Sequence, residues 1–173
     1  MNIYASLEEL SQGAMKQVKV VRQVIVDGQP RPEEKIIKVT VQPGWKENTK
    51  LTFPNSGDEE VDMETGDLIL VLKEKPHPRF KRDKNDLVYT AKISLLQALT
   101  GTVVDVELLD GRILPVAVND IAKPGYKVVV PGEGMPLAKD SKSKGNLVVD
   151  FDVQYPDVLS IKQKEQLALV LPQ

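Results

Sequence analysis

The sequence predicts a mostly β protein with two small β-sandwich- or barrel-like domains of similar topology in tandem, followed by a C-terminal helix. Three observations predict this class. The chain repeats itself in order, which indicates a duplicated unit. Short β-branched runs alternate with turn residues along most of its length. Near the end, the spacing of apolar residues changes to that of a helix.

The duplication is visible as matching blocks. The segment from Ser6 to Gly13 returns as Ser94 to Gly101, an offset of 94 − 6 = 88 residues. Four further blocks recur in the same order, and their first members are Val18-Lys19-Val20, Pro43-Gly44-Trp45-Lys46, Pro54-Asn55-Ser56-Gly57 and Gly66–Leu72. We therefore predict a first module over residues 1–76, a second module over residues 77–156 and a tail helix within residues 157–173.

The strands are predicted from apolar runs rich in β-branched residues. Ile3 indicates a strand at the start, and the others lie near residues 16–26, 35–41, 49–53, 67–73, 86–92, 102–108, 112–117, 126–130 and 146–154. Asp110-Gly111 predicts a two-residue hairpin turn, because glycine accepts the positive φ that such turns need. Asp27-Gly28 predicts the same turn in the first module.

Three short helices begin at serine, a favourable N-cap residue. Two are predicted at residues 7–10 and 95–99, ahead of the C-cap glycines Gly13 and Gly101. The third begins at Ser160, where Gln163 completes a capping box. Its residues Leu167, Val170 and Leu171 fall on one face. A helix of about eleven residues is marginal in water, so this face needs a partner.

The composition excludes several classes of function. The net charge is −2, which argues against a nucleic-acid-binding surface. There is no cysteine, so disulfides and thiol chemistry are absent. His77 is the only histidine, and we interpret it as a partly exposed side chain in a stiff, proline-flanked linker. We predict no metal, no cofactor and no catalytic residue. No apolar run is long enough to span a bilayer. The missing cysteines fit a reducing compartment, and we predict a cytoplasmic location that can also include the nucleus.

Several motifs resemble one known family. They are Lys75-Pro76-His77-Pro78-Arg79-Phe80-Lys81-Arg82-Asp83, Asp86-Leu87-Val88-Tyr89, Leu109-Asp110-Gly111-Arg112 and Val130-Pro131-Gly132-Glu133-Gly134-Met135-Pro136. Together they are similar to the C-terminal region of the DnaJ-type, forty-kilodalton heat-shock co-chaperones, over nearly the whole chain. The missing cysteines resemble the class B branch, which lacks the zinc-binding insertion.

The resemblance implies tandem β-sandwich-like domains and a C-terminal helix that pairs two protomers into a homodimer. It implies a shallow groove in the first domain for unfolded polypeptides and for the acidic Glu-Glu-Val-Asp tail of the seventy-kilodalton heat-shock chaperone. By position, the groove would be lined by Ile3, Val18, Val20 and Leu70, with Lys16, Lys19 and Lys35 as basic contacts. The dimer contacts would be Leu167, Val170 and Leu171.

The residues themselves favour the same place. Polar and apolar residues alternate from Lys16 to Val20, which is typical of a strand with one buried face. If this strand lies at a sheet edge, an extended peptide can pair with its free backbone groups. The alternative is that Ile3, Val18, Val20 and Leu70 are ordinary core residues.

One acidic segment allows two interpretations. Asp58 to Asp62 predicts a solvated loop, because its spacing lacks the ligand pattern of a calcium site. Glu59-Glu60-Val61-Asp62 also repeats the partner's tail motif, so docking in a neighbouring groove is the alternative.

The leading function is thus a peptide-binding module without chemistry of its own. A structural repeat that only oligomerises is the second candidate, a nucleic-acid-binding barrel the third and an enzyme the last. The start of the first strand almost at Met1 suggests a piece of a longer chain.

Overall fold

A computed structural model describes all residues from Met1 to Gln173. It contains eleven strands and three helices. The strands are β1 (Asn2–Ala5), β2 (Ala14–Val26), β3 (Gln29–Val41), β4 (Lys50–Phe53), β5 (Leu68–Glu74), β6 (Phe80–Asp83), β7 (Asp86–Ser94), β8 (Thr102–Glu107), β9 (Ile113–Val118), β10 (Lys127–Val130) and β11 (Leu147–Gln154). The helices are α1 (Leu7–Gln12), α2 (Leu95–Thr100) and α3 (Ile161–Val170). The mostly β class and the C-terminal helix are confirmed.

The sheet topology follows the sequence duplication. In the first module, β1 pairs in parallel with β5, and β4 pairs antiparallel on the other side of β5. In the second module, β7 pairs in parallel with β11, and β10 lies antiparallel beside β11. Each module adds a two-stranded ribbon, β2–β3 or β8–β9. Each also has a short helix whose serine N-cap and third residue form a capping box.

The second module contains one strand that the sequence did not predict. Strand β6, with the sequence Phe-Lys-Arg-Asp, pairs antiparallel with β7 and covers its outer edge. Only Phe80 of this strand is fully buried, so the run has no apolar periodicity to detect. In the first module, the equivalent edge of β1 is not paired with a strand of this chain.

Strand β3 begins earlier than predicted, despite Pro30 and Pro32. These prolines lie opposite Ile25 and Gln23. The nitrogen atoms of Pro30 and Pro32 lie on the side of β3 that faces away from β2, so no hydrogen bond of the ribbon is lost there. The turn at Asp27 and Gly28 has φ of 52° and 71°, which confirms the predicted two-residue hairpin.

The hairpin at Asp110 is longer than predicted. The N–H of Leu108 donates to the carbonyl of Arg112 at 2.8 Å, so the loop holds Leu109, Asp110 and Gly111. Gly111 has φ of 86°. A three-residue loop of this kind places its glycine in the left-handed region.

The main apolar core extends through both modules. It contains buried side chains of β1, α1, β2, β3 and β5 together with buried side chains of β6, β7, β8, β9 and β11. A smaller cluster in the second module consists of Ile93, Ala98, Val118 and Ala122. Helix α3 contributes no buried residue to either cluster.

Candidate functional site

The outer edge of strand β2 is the candidate site in the first module. Strand β2 pairs with β3 along its whole length and with no strand on its other side. The backbone N–H of Gln23 points to that other side, because it donates to Asp58. Peptide groups alternate along a strand, so those of Gln17, Lys19 and Val21 point outward as well. We call Gln17, Lys19 and Val21 the open edge, since no strand of this chain pairs with them.

The predicted apolar residues lie mainly in the core. Ile3, Val20 and Leu70 are 5%, 7% and 0% exposed and belong to the main cluster. Val18 packs against that cluster and is only partly buried. In this conformation three of the four residues are therefore core residues, and Val18 alone offers surface to a ligand. The prediction that all four line a groove stays a prediction.

Two of the predicted lysines flank the open edge on opposite faces of β2. Lys16 is on the face of the buried Val20, and its side chain is 19% exposed. Its Nζ lies 2.7 Å from Oε2 of Glu9. Lys19 is on the solvent face, is 61% exposed and has its Nζ 2.7 Å from Oε2 of Glu34. Both cations are therefore paired within the chain, and Lys19 is the more accessible.

The third predicted lysine does not reach the open edge as a free cation. Lys35 lies on β3 directly opposite Val20. Its Nζ donates to Oγ of Ser56 at 3.0 Å, and Ser56 is buried. Lys35 thus connects β3 to the turn after β4.

Glu9 links helix α1 to the candidate site. Its carboxylate accepts a hydrogen bond from the N–H of Ser6 at 2.9 Å and one from Nζ of Lys16 at 2.7 Å. Partial burial raises the pKa of Glu9, but the hydrogen bonds from Lys16 and Ser6 and the charge of Lys16 outweigh it. The pKa of Glu9 therefore lies below its ordinary value of 4.5.

The far end of the β2 edge is occupied by the chain itself. Oδ1 of Asp58 accepts from the N–H of Gln23 at 2.7 Å, and Oε2 of Glu59 accepts from the N–H of Ile25 at 3.1 Å. The N–H of Glu59 also donates to the carbonyl of Gln23 at 2.8 Å. We call Gln23 and Ile25 the closed edge, and residues 57–66 the acidic loop.

The acidic loop corrects part of the sequence interpretation. Residues 60–64 are exposed, as expected of a solvated loop. Asp58 and Glu59, however, are held against β2 of their own module.

His77 connects the two modules. The sequence predicted a partly exposed linker side chain, and this is wrong: the His77 side chain is 6% exposed. Its Nδ1 accepts hydrogen bonds from the N–H groups of Arg79 and Phe80. Nδ1 is therefore unprotonated, and Nε2 donates to Oε1 of Glu8 at 2.7 Å. The bond to Glu8 fixes the linker to helix α1.

Arg82 makes a second connection between the modules. Its guanidinium donates to Oε1 of Glu74 and to the carbonyl of Trp45, both at 2.7 Å, and to the carbonyl of Gly44 at 3.2 Å. One side chain of strand β6 thus satisfies three acceptors of the first module. The junction between the modules is polar as well as apolar.

The C-terminal helix lies largely in solvent. Leu167, Val170 and Leu171 are 39%, 77% and 46% exposed. Leu167 lines an apolar cavity of about 380 Å³ beside helix α2, whose other lining residues are Ser94, Leu95, Leu96, Leu99, Gln154, Tyr155, Pro156 and Leu159. Leu167 therefore lies beside apolar residues of the chain, whereas Val170 is largely exposed to solvent. Its predicted role in dimerisation stays a prediction.

The comparisons with known proteins agree with this architecture. A model of the DnaJ C terminal domain matches residues 1–156. The chain belongs to the DnaJ C-terminal domain family. Since DnaJ proteins are co-chaperones, this membership agrees with the expectation that the chain is not an enzyme.

The relatives of this DnaJ C-terminal domain include class B proteins. The chain is 41% identical over 169 residues to human DnaJ homolog subfamily B member 5, covering 96% of this chain and 49% of the relative. It is 40% identical to DnaJ protein homolog 1 of Drosophila melanogaster, and the match covers 99% of this chain and 52% of the relative. It is 37% identical to protein SIS1 of Saccharomyces cerevisiae, and the match covers 96% of this chain and 47% of the relative. The chain spans about half the length of these relatives.

The structure adds contacts to this DnaJ C-terminal domain that the sequence did not reveal. The contacts of Asp58 and Glu59 with β2 join residues 34 and 35 positions apart, and no local pattern signals them.

No group of three or more His, Cys, Asp or Glu side chains in the chain could hold a metal ion. None of its helices combines the length and the hydropathy that a membrane span requires.

Proposed function

We propose that this DnaJ C-terminal domain binds extended segments of non-native polypeptides along the open edge of β2. We propose that the same edge takes the acidic Glu-Glu-Val-Asp tail of the seventy-kilodalton heat-shock chaperone, in the cytoplasm. The proposal rests on one observation: the backbone groups of Gln17, Lys19 and Val21 face away from β3 and pair with no strand.

An unpaired strand edge suits a ligand of variable sequence. An added strand is held by main-chain hydrogen bonds, which do not depend on side-chain identity. Each such bond contributes about 1 kcal/mol net. The loss of rotational and translational freedom on association offsets at least about 4 kcal/mol. A short edge therefore favours weak binding with rapid exchange, which suits a chaperone that releases its client.

Apolar contacts add to the backbone pairing. Every second side chain of an added strand points to the same face of the ribbon. Val18 on the inward face of β2, and Met15 and Val21 on its solvent face, are the apolar residues with accessible surface at this edge. Each client methylene group buried there contributes up to about 0.8 kcal/mol. Contacts with Ile3, Val20 and Leu70 require the core to open locally, because these side chains are buried.

The lysines favour an acidic ligand. Lys19 is well exposed, and Lys16 lies on the other face of the strand. An acidic tail competes with Glu9 and Glu34 for these cations, so the net gain in affinity is small at high ionic strength. The attraction acts mainly on the association rate and on its salt dependence.

The deciding experiment is a titration with a Glu-Glu-Val-Asp peptide, followed by residue-resolved mapping of backbone amides. We expect the amides of Gln17, Lys19 and Val21 to respond most. Gln17→Pro removes one outward N–H without breaking the pairing with β3, and it weakens binding about fivefold. Gln17→Ala keeps that N–H and is the matched control. A response confined to another surface, or equal effects of the two variants, contradicts the proposal.

We also propose that two copies of the chain form a homodimer through helix α3. The exposed apolar face of α3 and the adjacent apolar cavity support a contact with a second copy. A module that dimerises but binds no peptide is the alternative function. It predicts intact dimers and no response of the open edge in the same titration.

A further inference from the structure

The acidic loop is a closed unit that projects from the first module. The N–H of Gly57 donates to the carbonyl of Gly66 at 2.8 Å, and the N–H of Gly66 donates to the carbonyl of Asp58 at 3.1 Å. These two bonds close the base of the loop. These bonds fix the loop at its base. Asp58 and Glu59, whose carboxylates contact β2, come directly after Gly57 in the chain.

The loop makes the same kind of contacts that an added strand would make. It supplies acceptors to the outward N–H groups of Gln23 and Ile25 and a donor to the outward carbonyl of Gln23. Glu59 pairs with the edge through its backbone N–H as well as its side chain. Both outward N–H groups of the closed edge and the outward carbonyl of Gln23 are thus already occupied.

Two cations hold the loop in this place. Arg22 has a side chain that is 14% exposed, and its guanidinium lies 3.7 Å from Oε1 of Glu59. The same guanidinium donates to the carbonyl of Gly57 at 3.5 Å. Lys35 holds the preceding residue, Ser56. Partly buried ion pairs are screened less by salt than exposed ones, so the loop stays seated at physiological ionic strength.

We infer that the acidic loop is a fixed occupant of the β2 edge that limits the length of a bound segment. A ligand strand can pair with Gln17, Lys19 and Val21, but at Gln23 it meets the loop. The N–H of Met15 also points outward, so the available stretch from residue 15 to residue 21 accepts roughly seven ligand residues. The ligand must end or turn away beside Val21. This inference rests on the proposed function and specifies the kind of ligand: a short tail or a tightly turning segment.

The test is a length series of peptides. Each peptide carries the Glu-Glu-Val-Asp motif, with neutral residues added one at a time in two series, one growing from each end. With the natural protein, we expect less than a twofold gain in affinity beyond about seven paired residues. The Asp58→Ala, Glu59→Ala variant frees two outward N–H groups but keeps the backbone bond from residue 59 to Gln23, so longer peptides in one series gain only about threefold.

Two further variants make the result decisive. Glu60→Ala, Asp62→Ala removes the same charge from exposed positions of the same loop, so we expect the natural length dependence. Replacing residues 58–65 by Asn-Gly between Gly57 and Gly66 removes the occupant altogether, and longer peptides then gain about tenfold. Hydrogen exchange reports directly on the edge: the amides of Gln23 and Ile25 are protected in the natural protein and exchange faster in the shortened variant.

The outcomes separate the two proposals. If peptides bind the open edge and the shortened variant keeps the natural length dependence, the inference on the loop is wrong while the proposed function stands. If the Glu60, Asp62 variant gains as much as the Asp58, Glu59 variant, charge and not occupancy sets the length, and the inference is also wrong. If no peptide binds any variant, both proposals are overturned.

Discussion

Nε2 of His77 lies 2.7 Å from Oε1 of Glu8, and this hydrogen bond joins the segment between the modules to helix α1. The ring of His77 also packs against Phe80, with ring centroids 5.4 Å apart. A side chain that the sequence placed in a linker is therefore part of the junction. Because both modules share the main core, the junction contributes to the stability of the whole chain.

Replacing His77 tests this role. We expect His77→Ala to lower the free energy of unfolding by about 2 kcal/mol, because buried hydrogen bonds and packing are lost together. Lys81→Ala, at an exposed position nearby, changes it by no more than about 0.5 kcal/mol. Urea unfolding measures both variants. Equal stabilities contradict a structural role for His77.

Gly44 tests the close approach of the modules. It has φ of 85°, and a Cβ atom there would lie 2.6 Å from the carbonyl oxygen of Pro136. Gly125 is its counterpart, because Pro43-Gly44-Trp45-Lys46 recurs as Pro124-Gly125-Tyr126-Lys127. Gly125 has φ of 83° and open space where its Cβ atom would lie. We expect Gly125→Ala to cost about 1 kcal/mol from backbone strain. Gly44→Ala costs about 3 kcal/mol, because backbone atoms of the second module must also move.

Thermal and urea unfolding of these two glycine variants give the comparison. Since the strain from positive φ is common to both, the difference between them measures the contact between the modules. Equal losses indicate that the modules move apart easily.

Salt dependence tests the lysines of the open edge. We expect Lys16→Ala with Lys19→Ala to weaken binding of a Glu-Glu-Val-Asp peptide about tenfold at low ionic strength and about twofold at high ionic strength. Lys139→Ala with Lys142→Ala removes the same charge from the second module and has little effect. Equal losses at both ionic strengths rule out an electrostatic role for Lys16 and Lys19.

Acid titration tests the pairing of Glu9. Its folded-state pKa is lowered, so the stability that it contributes is present above pH 4.5 and is lost as the pH falls through the folded-state pKa. Glu9→Gln removes the charge and keeps a residue that completes a capping box, as Gln97 does in helix α2. We expect the variant to be less stable than the natural protein at pH 6. The difference shrinks below pH 4.5, and a constant difference contradicts the assignment.

Truncation tests the role of the C-terminal helix. We expect the full chain of 19.2 kDa to sediment as a dimer. A chain that ends after Asp157 lacks Leu167, Val170 and Leu171 and sediments as a monomer, because the exposed apolar face is gone. Lys162→Ala with Glu165→Ala changes polar residues of the same helix and leaves the dimer intact. A truncated chain that still dimerises places the contact elsewhere.

Local patterns predicted most of the fold. The duplication, the alternation in the strands and the capping boxes all depend on neighbouring residues, and each is found in the structure. The start of β3 was missed because prolines argue against a strand, yet Pro30 and Pro32 take positions that need no N–H donor. Strand β6 was missed because its pairing with β7, rather than its composition, makes it a strand.

The candidate site was harder to predict. Alternation places Val20 on the inward face of β2, but whether such a residue lines a groove or fills the core depends on what packs above it. The three lysines are visible in the sequence, whereas their partners Glu34 and Ser56 depend on the hairpin register and on the fold. The acidic loop lies against β2 through contacts that no local signal encodes.

Strand β6 makes the sheet edges of the two modules different. If β1 and β7 were both unpaired edge strands, molecules could pair edge to edge and polymerise. In the second module, Phe80–Asp83 of β6 cover β7, and β6 becomes the outermost strand of that sheet. Because β6 is short and three of its four residues are charged, it is a poor template for a strand of another molecule, whereas β1 in the first module has no such cover.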